Sequence, residues 1–123
     1  MAAIAPTRTL IKPGTVLYLW EAVGLADTCD PIAVGDFPEK SVQVTGTYGG
    51  GTLTIQGSNS NDPSAGTFDT LNDPSSTALS WTTGSRVEQV LENTVQIKPV
   101  LTGGDGTTDL DVFLVVKRGV ERR

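Results

Sequence analysis

The chain has no histidine and a single cysteine, Cys29, among its 123 residues. Without histidine, the chain cannot build a Ser-His-Asp or Cys-His nucleophilic site from its own residues. A lone cysteine forms no intrachain disulfide and no cysteine metal cluster, so neither is expected to stabilise the fold. We therefore interpret Cys29 as a packed thiol, and we predict no enzymatic activity, no bound metal and no cofactor.

Long apolar runs are also missing. The longest strongly apolar stretch, residues 16–20, is far shorter than the roughly 20 residues that a membrane-spanning helix needs. Pro6, Arg8, Lys12 and Pro13 interrupt the start of the chain, which therefore lacks the hydrophobic region of a signal peptide. We expect synthesis in the cytoplasm, no classical secretion and no membrane partner.

Positive charge is scarce over most of the chain. Residues 1–116 carry 5 basic and 13 acidic side chains, whereas residues 117–123 carry four basic side chains and one acidic. A nucleic-acid-binding face needs Lys and Arg spread over a surface, so we expect no nucleic-acid partner for this acidic body. The basic end has two interpretations, a solubilising terminus or a segment that docks on an acidic surface.

The sequence does contain seven or eight short segments of alternating hydrophobicity, separated by Gly-, Asn- and Asp-rich turns. Such alternation is typical of β-strands, and a charged fraction of only 19% disfavours exposed helices. We predict one all-β domain over residues 15–116, a β-sandwich of jelly-roll type. Two prolines restrict residues 1–14, which we expect to form an extended N-terminal arm, and residues 117–123 form a basic C-terminal tail.

Two pairs of these segments are predicted to form hairpins. Residues 41–47 and 52–58 flank the first glycine-rich turn, and residues 94–101 and 108–116 flank the second. Glycine permits the positive φ angles that tight connections between twisted strands need. The outward side chains of residues 52–58 are mostly hydroxyl-bearing, which predicts a polar outer face there.

Three single segments carry further expectations. Pro99 cannot donate a hydrogen bond to a ladder, which predicts an edge strand or a bulge. Apolar side chains lie on both faces of the second half of 108–116, which predicts a central strand. Residues 85–88 match a capping box and residues 87–91 repeat apolar side chains at helical spacing, which predicts one or two helical turns.

Several carboxylates are candidates for a site. Asp105, Asp109 and Asp111 offer oxygen ligands beside a glycine-rich turn, as Ca²⁺ requires, but their spacing matches no calcium loop and a solvated turn is the competing interpretation. Glu88 and Glu92 would lie one helical turn apart, a spacing common on solvated faces, and we predict no glycosidase pair there. A second polar loop has the same two interpretations as the aspartates and contains Asn59, Asn61 and Asp62.

Aromatic side chains offer a different kind of candidate. Tyr18 and Trp20 lie on one face of a predicted strand, and Tyr48 and Trp81 could join them. Such a group would form a platform on which sugars stack. Core packing is equally compatible with the pattern, so both interpretations remain open.

Three segments carry a more specific pattern of strands and turns: residues 46–58 (GTYGGGTLTIQGS), 90–93 (VLEN) and 97–108 (IKPVLTGGDGTT). Over residues 42–116, about three-fifths of the chain, this pattern resembles small virion structural proteins of tailed bacteriophages that decorate or cement the capsid. Similar proteins form β-sandwich or jelly-roll domains that bind the outside of the shell and bridge subunits of the major capsid protein. The resemblance implies that role, and a location on the capsid surface of the virion.

A cement protein needs no reactive groups, and it gains from segments that reach across a subunit boundary. The expected contact residues therefore lie in the arm and the tail: Ile4, Pro6, Arg8, Leu10, Ile11, Lys117, Arg118, Arg122 and Arg123. Symmetric shells favour repeated binding, so we expect a homo-oligomer, with a dimer favoured over a trimer. Two other classes stay open, a carbohydrate-binding module and a phage tail or baseplate component.

Overall fold

The computed structural model describes residues 3–62 and 67–118, which form twelve β-strands and no helix. The strands are β1 (Ala3–Ile4), β2 (Thr7–Lys12), β3 (Thr15–Val23), β4 (Thr28–Cys29), β5 (Ile32–Ala33), β6 (Glu39–Thr47), β7 (Gly51–Ser58), β8 (Asp69–Thr70), β9 (Ser80–Trp81), β10 (Arg86–Gln89), β11 (Gln96–Gly103) and β12 (Asp109–Lys117). Among these residues, no helix long and apolar enough to cross a membrane occurs. The predicted all-β, sandwich-like fold is confirmed.

Two antiparallel sheets make up the sandwich. The β12 sheet has the strand order β10-β6-β12-β3-β2, and the β7 sheet has the order β5-β11-β7-β8, with β9 also paired to β7. β12 pairs with β6 along nine residues and with β3 on its other side, so the predicted central strand is confirmed. A short parallel pair, β1 with β4, stands apart from both sheets.

Both predicted hairpins are wrong, and for the same reason. β6 and β7 are consecutive in the chain but lie in different sheets, and so do β11 and β12. Each glycine-rich turn is therefore an arch that carries the chain from one sheet to the other. Alternation determines which side chains of a strand face the core. It does not determine whether the next strand pairs with it in the same sheet or lies in the facing sheet, because the apolar side chains are buried in both arrangements.

The predicted helical turns over residues 85–91 are also wrong. Arg86–Gln89 is β10, an edge strand that pairs with β6 along four residues. Ser85 caps no helix, and its hydroxyl oxygen instead accepts a hydrogen bond from the Gln43 amide at 3.0 Å. A one- or two-turn helix pays the full cost of nucleation, so the open edge of β6 offers this short segment a better set of hydrogen bonds.

The core lies between the sheets and is built from the alternate residues of the long strands. Trp20 and Trp81 are its largest fully buried side chains, and Cys29 is packed in the same cluster, as predicted. β11 lies between β5 and β7 and is not an edge strand over its whole length. β5 pairs only with Gln96 and Ile97, however, so among the described strands Pro99 pairs with β7 alone, and the edge prediction holds for that part of β11.

Candidate functional site

The residues predicted as an arm are extended, and they pair with the rest of the domain. β2 hydrogen-bonds to β3, forms one edge of the β12 sheet and is exposed along all six residues. Leu10 and Ile11 are 58% and 56% exposed, although both are large apolar side chains. Ile4 is different: it is half-buried against the core, and its carbonyl oxygen accepts a hydrogen bond from the Asp30 amide at 2.9 Å.

The two predicted contact segments meet at one end of the β12 sheet. The amide of Arg118 donates to the carbonyl oxygen of Gly14 at 2.9 Å. In the neighbouring register, Lys12 lies opposite Thr15, and Thr15 lies opposite Lys117. The antiparallel pairing of β12 with β3 therefore brings the end of one segment next to the end of the other, although about a hundred residues separate them in the chain.

This meeting point concentrates positive charge on an acidic chain. We call it the terminal patch, and it consists of Arg8, Leu10, Ile11, Lys12, Lys117 and Arg118. The patch holds four of the seven basic side chains in the described residues, and none of the four forms an ion pair with another described residue. Pro6 is half-buried just before β2. Two of the predicted contact residues lie outside the described residues: Arg122 and Arg123.

The remaining basic side chains are engaged within the domain. Lys40 points into the sandwich and is only 2% exposed. Its ammonium donates to the carbonyl oxygen of Phe37 at 2.9 Å and to Asn93 Oδ1 at 2.8 Å, and burial lowers its pKa. The Lys98 ammonium lies 4.2 Å from the centre of the Phe68 ring. These two cations therefore contact groups of the domain itself.

Glu88 and Glu92 do not face each other. The Glu88 carboxylate forms an ion pair with Arg86 on the same strand, β10. The Glu92 carboxylate accepts hydrogen bonds from both the main-chain amide and the side-chain amide of Asn72, each at 2.8 Å. Each carboxylate therefore has its own structural partner.

The aspartates beside the second glycine-rich turn also serve the backbone. Asp105 accepts hydrogen bonds from the Thr107 hydroxyl at 2.6 Å and the Thr107 amide at 2.8 Å, and these bonds lower the pKa of its carboxyl. Asp111 accepts from the Ala22 amide at 3.0 Å, and Asp109 is exposed. In residues 3–62 and 67–118, no group of three His, Cys, Asp or Glu side chains is arranged to hold a metal ion.

The polar loop that contains Asn59, Asn61 and Asp62 is hydrogen-bonded to a side chain of β11. The side-chain amide of Gln96, itself buried, donates to the carbonyl oxygens of Ser60 at 2.8 Å and Asp62 at 3.1 Å. Asn59 and Asn61 are exposed. The loop is thus fixed to β11 through its main chain.

The aromatic side chains belong to the core. Trp20, Trp81 and Tyr48 are 1%, 0% and 7% exposed, and Tyr18 is half-buried against the same cluster. Each of the three buried rings donates its N–H or O–H to a main-chain carbonyl oxygen, at 2.7 to 3.1 Å. The packing interpretation is therefore correct, and these side chains form no platform for sugars.

Sequence reasoning missed one surface, the outward face of the β12 sheet. At its centre, Leu17 pairs with Val115 and Leu19 pairs with Phe113 on the two middle strands. These four apolar side chains point away from the core and are only partly buried. The signal was present in the sequence, since β3 and β12 carry apolar residues on both faces. A central strand of a two-layer sandwich still has one face towards solvent, so central position alone does not explain them.

The outward face of the β7 sheet is different in character. Thr52, Thr54 and Gln56 of β7 lie opposite Thr102, Val100 and Lys98 of β11. The hydroxyl-rich outer face predicted for this strand is therefore confirmed. In the described residues, a cluster of outward apolar side chains therefore lies at the centre of the β12 sheet, whereas these outward positions of β7 and β11 are mostly polar.

No protein-family model matches the chain, and no curated protein sequence matches it either. Among solved structures, the chain is similar to YomS, a protein derived from the SPBc2 prophage. The TM-score is 0.60 at 13% sequence identity, over 88% of this chain and 98% of YomS. Similarity at this level of identity concerns the fold alone. The β-sandwich of this chain is thus also the fold of a prophage-derived protein.

Proposed function

We propose that this chain is a structural protein of a phage virion that decorates and cements the capsid by binding major capsid protein subunits on the outer shell. The resemblance over residues 42–116 and the fold shared with a prophage-derived protein support a phage setting. The observation that carries the proposal is the terminal patch, where the two segments expected to contact the capsid lie side by side.

The patch has the properties of a protein-binding edge. Leu10 and Ile11 expose apolar surface that a partner can cover, and burial of each such side chain is worth about 1.5–3 kcal/mol. In the described residues β2 is an edge strand, so its outer backbone groups are open to an added strand. Arg8 and Lys12 flank the two apolar residues along the strand and select an acidic partner segment.

This role places the protein on the capsid surface, and it requires neither a cofactor nor catalysis. We do not extend the proposal to carbohydrate binding, because the rings that a sugar would stack on are buried.

The proposal can be tested by adding the purified protein to capsid shells that lack it and measuring how much protein binds. We expect wild-type protein to bind purified heads and not isolated tails. A variant carrying both Leu10→Asp and Ile11→Asp should lose at least about tenfold in affinity, since the apolar contact worth more than 1.4 kcal/mol is removed and negative charge is added. Point substitutions are used because β2 pairs with β3, and deletion of residues 1–14 would strip a strand from the sheet.

Leu25→Asp is the matched control, because Leu25 is 50% exposed in a loop far along β3 from the patch. The control should bind heads like wild type, and all variants should keep the wild-type far-UV circular dichroism. Equal occupancy for the patch variant and wild type, or binding to tails alone, would reject the capsid role.

A further inference from the structure

The outward face of the β12 sheet carries two uncharged rows that run across all five strands. The first row contains Thr9, Leu17, Val115, Ser41 and Gln89, and the second contains Thr7, Leu19, Phe113, Gln43 and Val87. None of the ten side chains is ionisable, whereas the body of the chain is strongly acidic. Val87, at one margin, is 60% exposed.

Charged residues of opposite sign bound these rows at the two ends. Along β12 the outward side chains are Asp109, Asp111, Phe113, Val115 and Lys117, in that order. Along β12 the face is therefore acidic at one end, apolar in the middle and basic at the other end, where exposed Glu39 of β6 lies opposite Lys117. Leu114 is the midpoint of this part of β12, because Asp111 lies three residues before it and Lys117 lies three residues after it.

We propose that a second copy of this chain packs on this face and forms a two-fold symmetric dimer. The rotation axis lies between the β12 sheet of one copy and the β12 sheet of the other, and it is perpendicular to the strands. The two β12 strands therefore lie face to face and antiparallel. This orientation places Asp111 of one copy opposite Lys117 of the second copy, and Phe113 opposite Val115. The centre of this face lies outside the terminal patch, although the two surfaces share Lys117, and the inference does not rest on the capsid role.

Charge decides both the occupant and the orientation. Two copies of an acidic chain repel each other over most of their surface, and the uncharged rows let them approach without like-charge contacts. An axis parallel to the strands would instead stack Lys117 on Lys117 and Asp111 on Asp111. Antiparallel stacking converts both repulsions into attractions, and sheets that pack face to face also keep their strands nearly aligned.

The shape of the face supports the same arrangement. A depression of about 270 Å³ lies next to Val115, towards the basic end, and is lined by Glu39, Lys40, Ser41, Gln89, Val115 and Lys117. In the antiparallel dimer the Phe113 ring of the second copy lies over Val115 and fills this depression. Five strands about 4.8 Å apart and six residues of about 3.4 Å give a face of roughly 400 Å² in projection, smaller than the ~800 Å² per partner of a standard interface. We therefore expect a concentration-dependent dimer.

Sedimentation velocity over a wide range of protein concentration measures the association directly. Wild-type protein should shift from monomer to dimer, and Phe113→Glu should weaken the dimer by at least about tenfold, because aromatic side chains at the centre of an interface carry much of its affinity. Thr54→Glu, on the outward face of the β7 sheet, is the matched control and should dimerise like wild type. Leu10→Asp alone should also leave dimerisation unchanged, because Leu10 pairs with buried Val16 and lies on the side of β2 opposite Thr9, which separates this inference from the capsid role.

A charge exchange tests the orientation and remains informative if Phe113→Glu does not fold. Lys117→Glu and Asp111→Lys should each dimerise poorly alone, whereas a mixture of the two should form a heterodimer and the doubly substituted chain should recover. A wild-type protein that stays monomeric at all concentrations would overturn the proposal. So would a Phe113→Glu variant that folds and dimerises normally. Substitutions on this face that reduce binding to the shell but leave dimerisation unchanged would also overturn it.

Discussion

The hydroxyl group of buried Thr108 donates a hydrogen bond of 2.9 Å to the main-chain carbonyl oxygen of Tyr48. Thr108 ends the arch between β11 and β12, and Tyr48 begins the arch between β6 and β7. The same hydroxyl oxygen accepts a bond from the Asp105 amide at 3.0 Å. One side chain therefore ties together the two connections that hold the sheets to each other.

Thr108→Val removes this link while keeping the shape of the side chain. We expect the free energy of unfolding to fall by about 1–3 kcal/mol, because the Tyr48 carbonyl keeps only its bond from the Gly51 amide and the Asp105 amide loses its hydroxyl acceptor. Urea denaturation measures the change. Thr102→Val is the control, since the Thr102 hydroxyl is exposed and lies 3.4 Å from its acceptor, and it should be nearly neutral. Equal effects of the two substitutions would contradict a special role for Thr108.

Gly46→Ala should be among the most damaging glycine substitutions in the chain. Gly46 has a φ of 122°, and a Cβ there would lie 2.2 Å from the main-chain oxygen of Asp109 on β12. Because that atom belongs to the central strand, it cannot move without disturbing the sheet, and we expect a loss of more than about 3 kcal/mol.

Gly50→Ala is the matched comparison, because Gly50 also has a positive φ, 84°, but a Cβ there meets nothing within 4 Å. It should cost only the conformational term, about 1–2 kcal/mol. Thermal unfolding of both variants distinguishes the two contributions. Similar losses would show that the close approach of Asp109 is unimportant.

Glu92 should make stability depend on pH in the acidic range. Partial burial disfavours its charged form, but the two hydrogen bonds from Asn72 outweigh this and lower its pKa below the ordinary value of 4.5. A carboxylate with a lowered pKa stabilises the folded state above the unfolded-state pKa, and this stabilisation is lost as pH falls through the folded-state pKa.

Glu92→Gln should lower stability at neutral pH by about 1–3 kcal/mol and flatten the decline in acid, as measured by denaturation between neutral and acidic pH. Asp36→Asn, which removes a carboxylate in an exposed turn, is the control and should leave stability at neutral pH nearly unchanged. A Glu92→Gln profile parallel to that of wild type would contradict the assignment.

Cys29 should be unreactive in the folded protein. The side chain is 7% exposed, and burial, reinforced by the charges of Asp27 and Asp30, raises the pKa of its thiol to about 12. The thiolate is the reactive species, so a thiol reagent near neutral pH should modify native protein far more slowly than protein in denaturant. Equal rates would mean that Cys29 is accessible in the native state.

The local features of the fold could be predicted, and the non-local ones could not. Alternation of period two and the chemistry of proline identified the strands, the central position of β12 and the open edge at Pro99, because these depend on a few neighbouring residues. The choice between a hairpin and an arch, or between β10 and a helix, depends on which distant edge is free to pair. No pattern within the segment contains that information.

The same distinction between local and non-local features applies to the candidate surfaces. Residues of both ends, such as Leu10 and Lys117, were predicted as contacts from their lack of a core pattern. Their meeting at Gly14 and Arg118 follows only from the order of strands in the sheet. The sequence shows that β12 has apolar side chains on both faces. It does not show that Phe113 points away from the core, because that depends on the sandwich having only two layers.

The position of β12 also sets the order in which this protein can be assembled. β12 is the last strand of the described chain, yet it lies between β6 and β3, which have no direct contact in the sheet without it. During synthesis, β3 and β6 must wait with unsatisfied edges until residue 117 has left the ribosome. Completion of the sheet is therefore a late step that inserts a strand into its middle, and until that step the unpaired edges of β3 and β6 are open to aggregation.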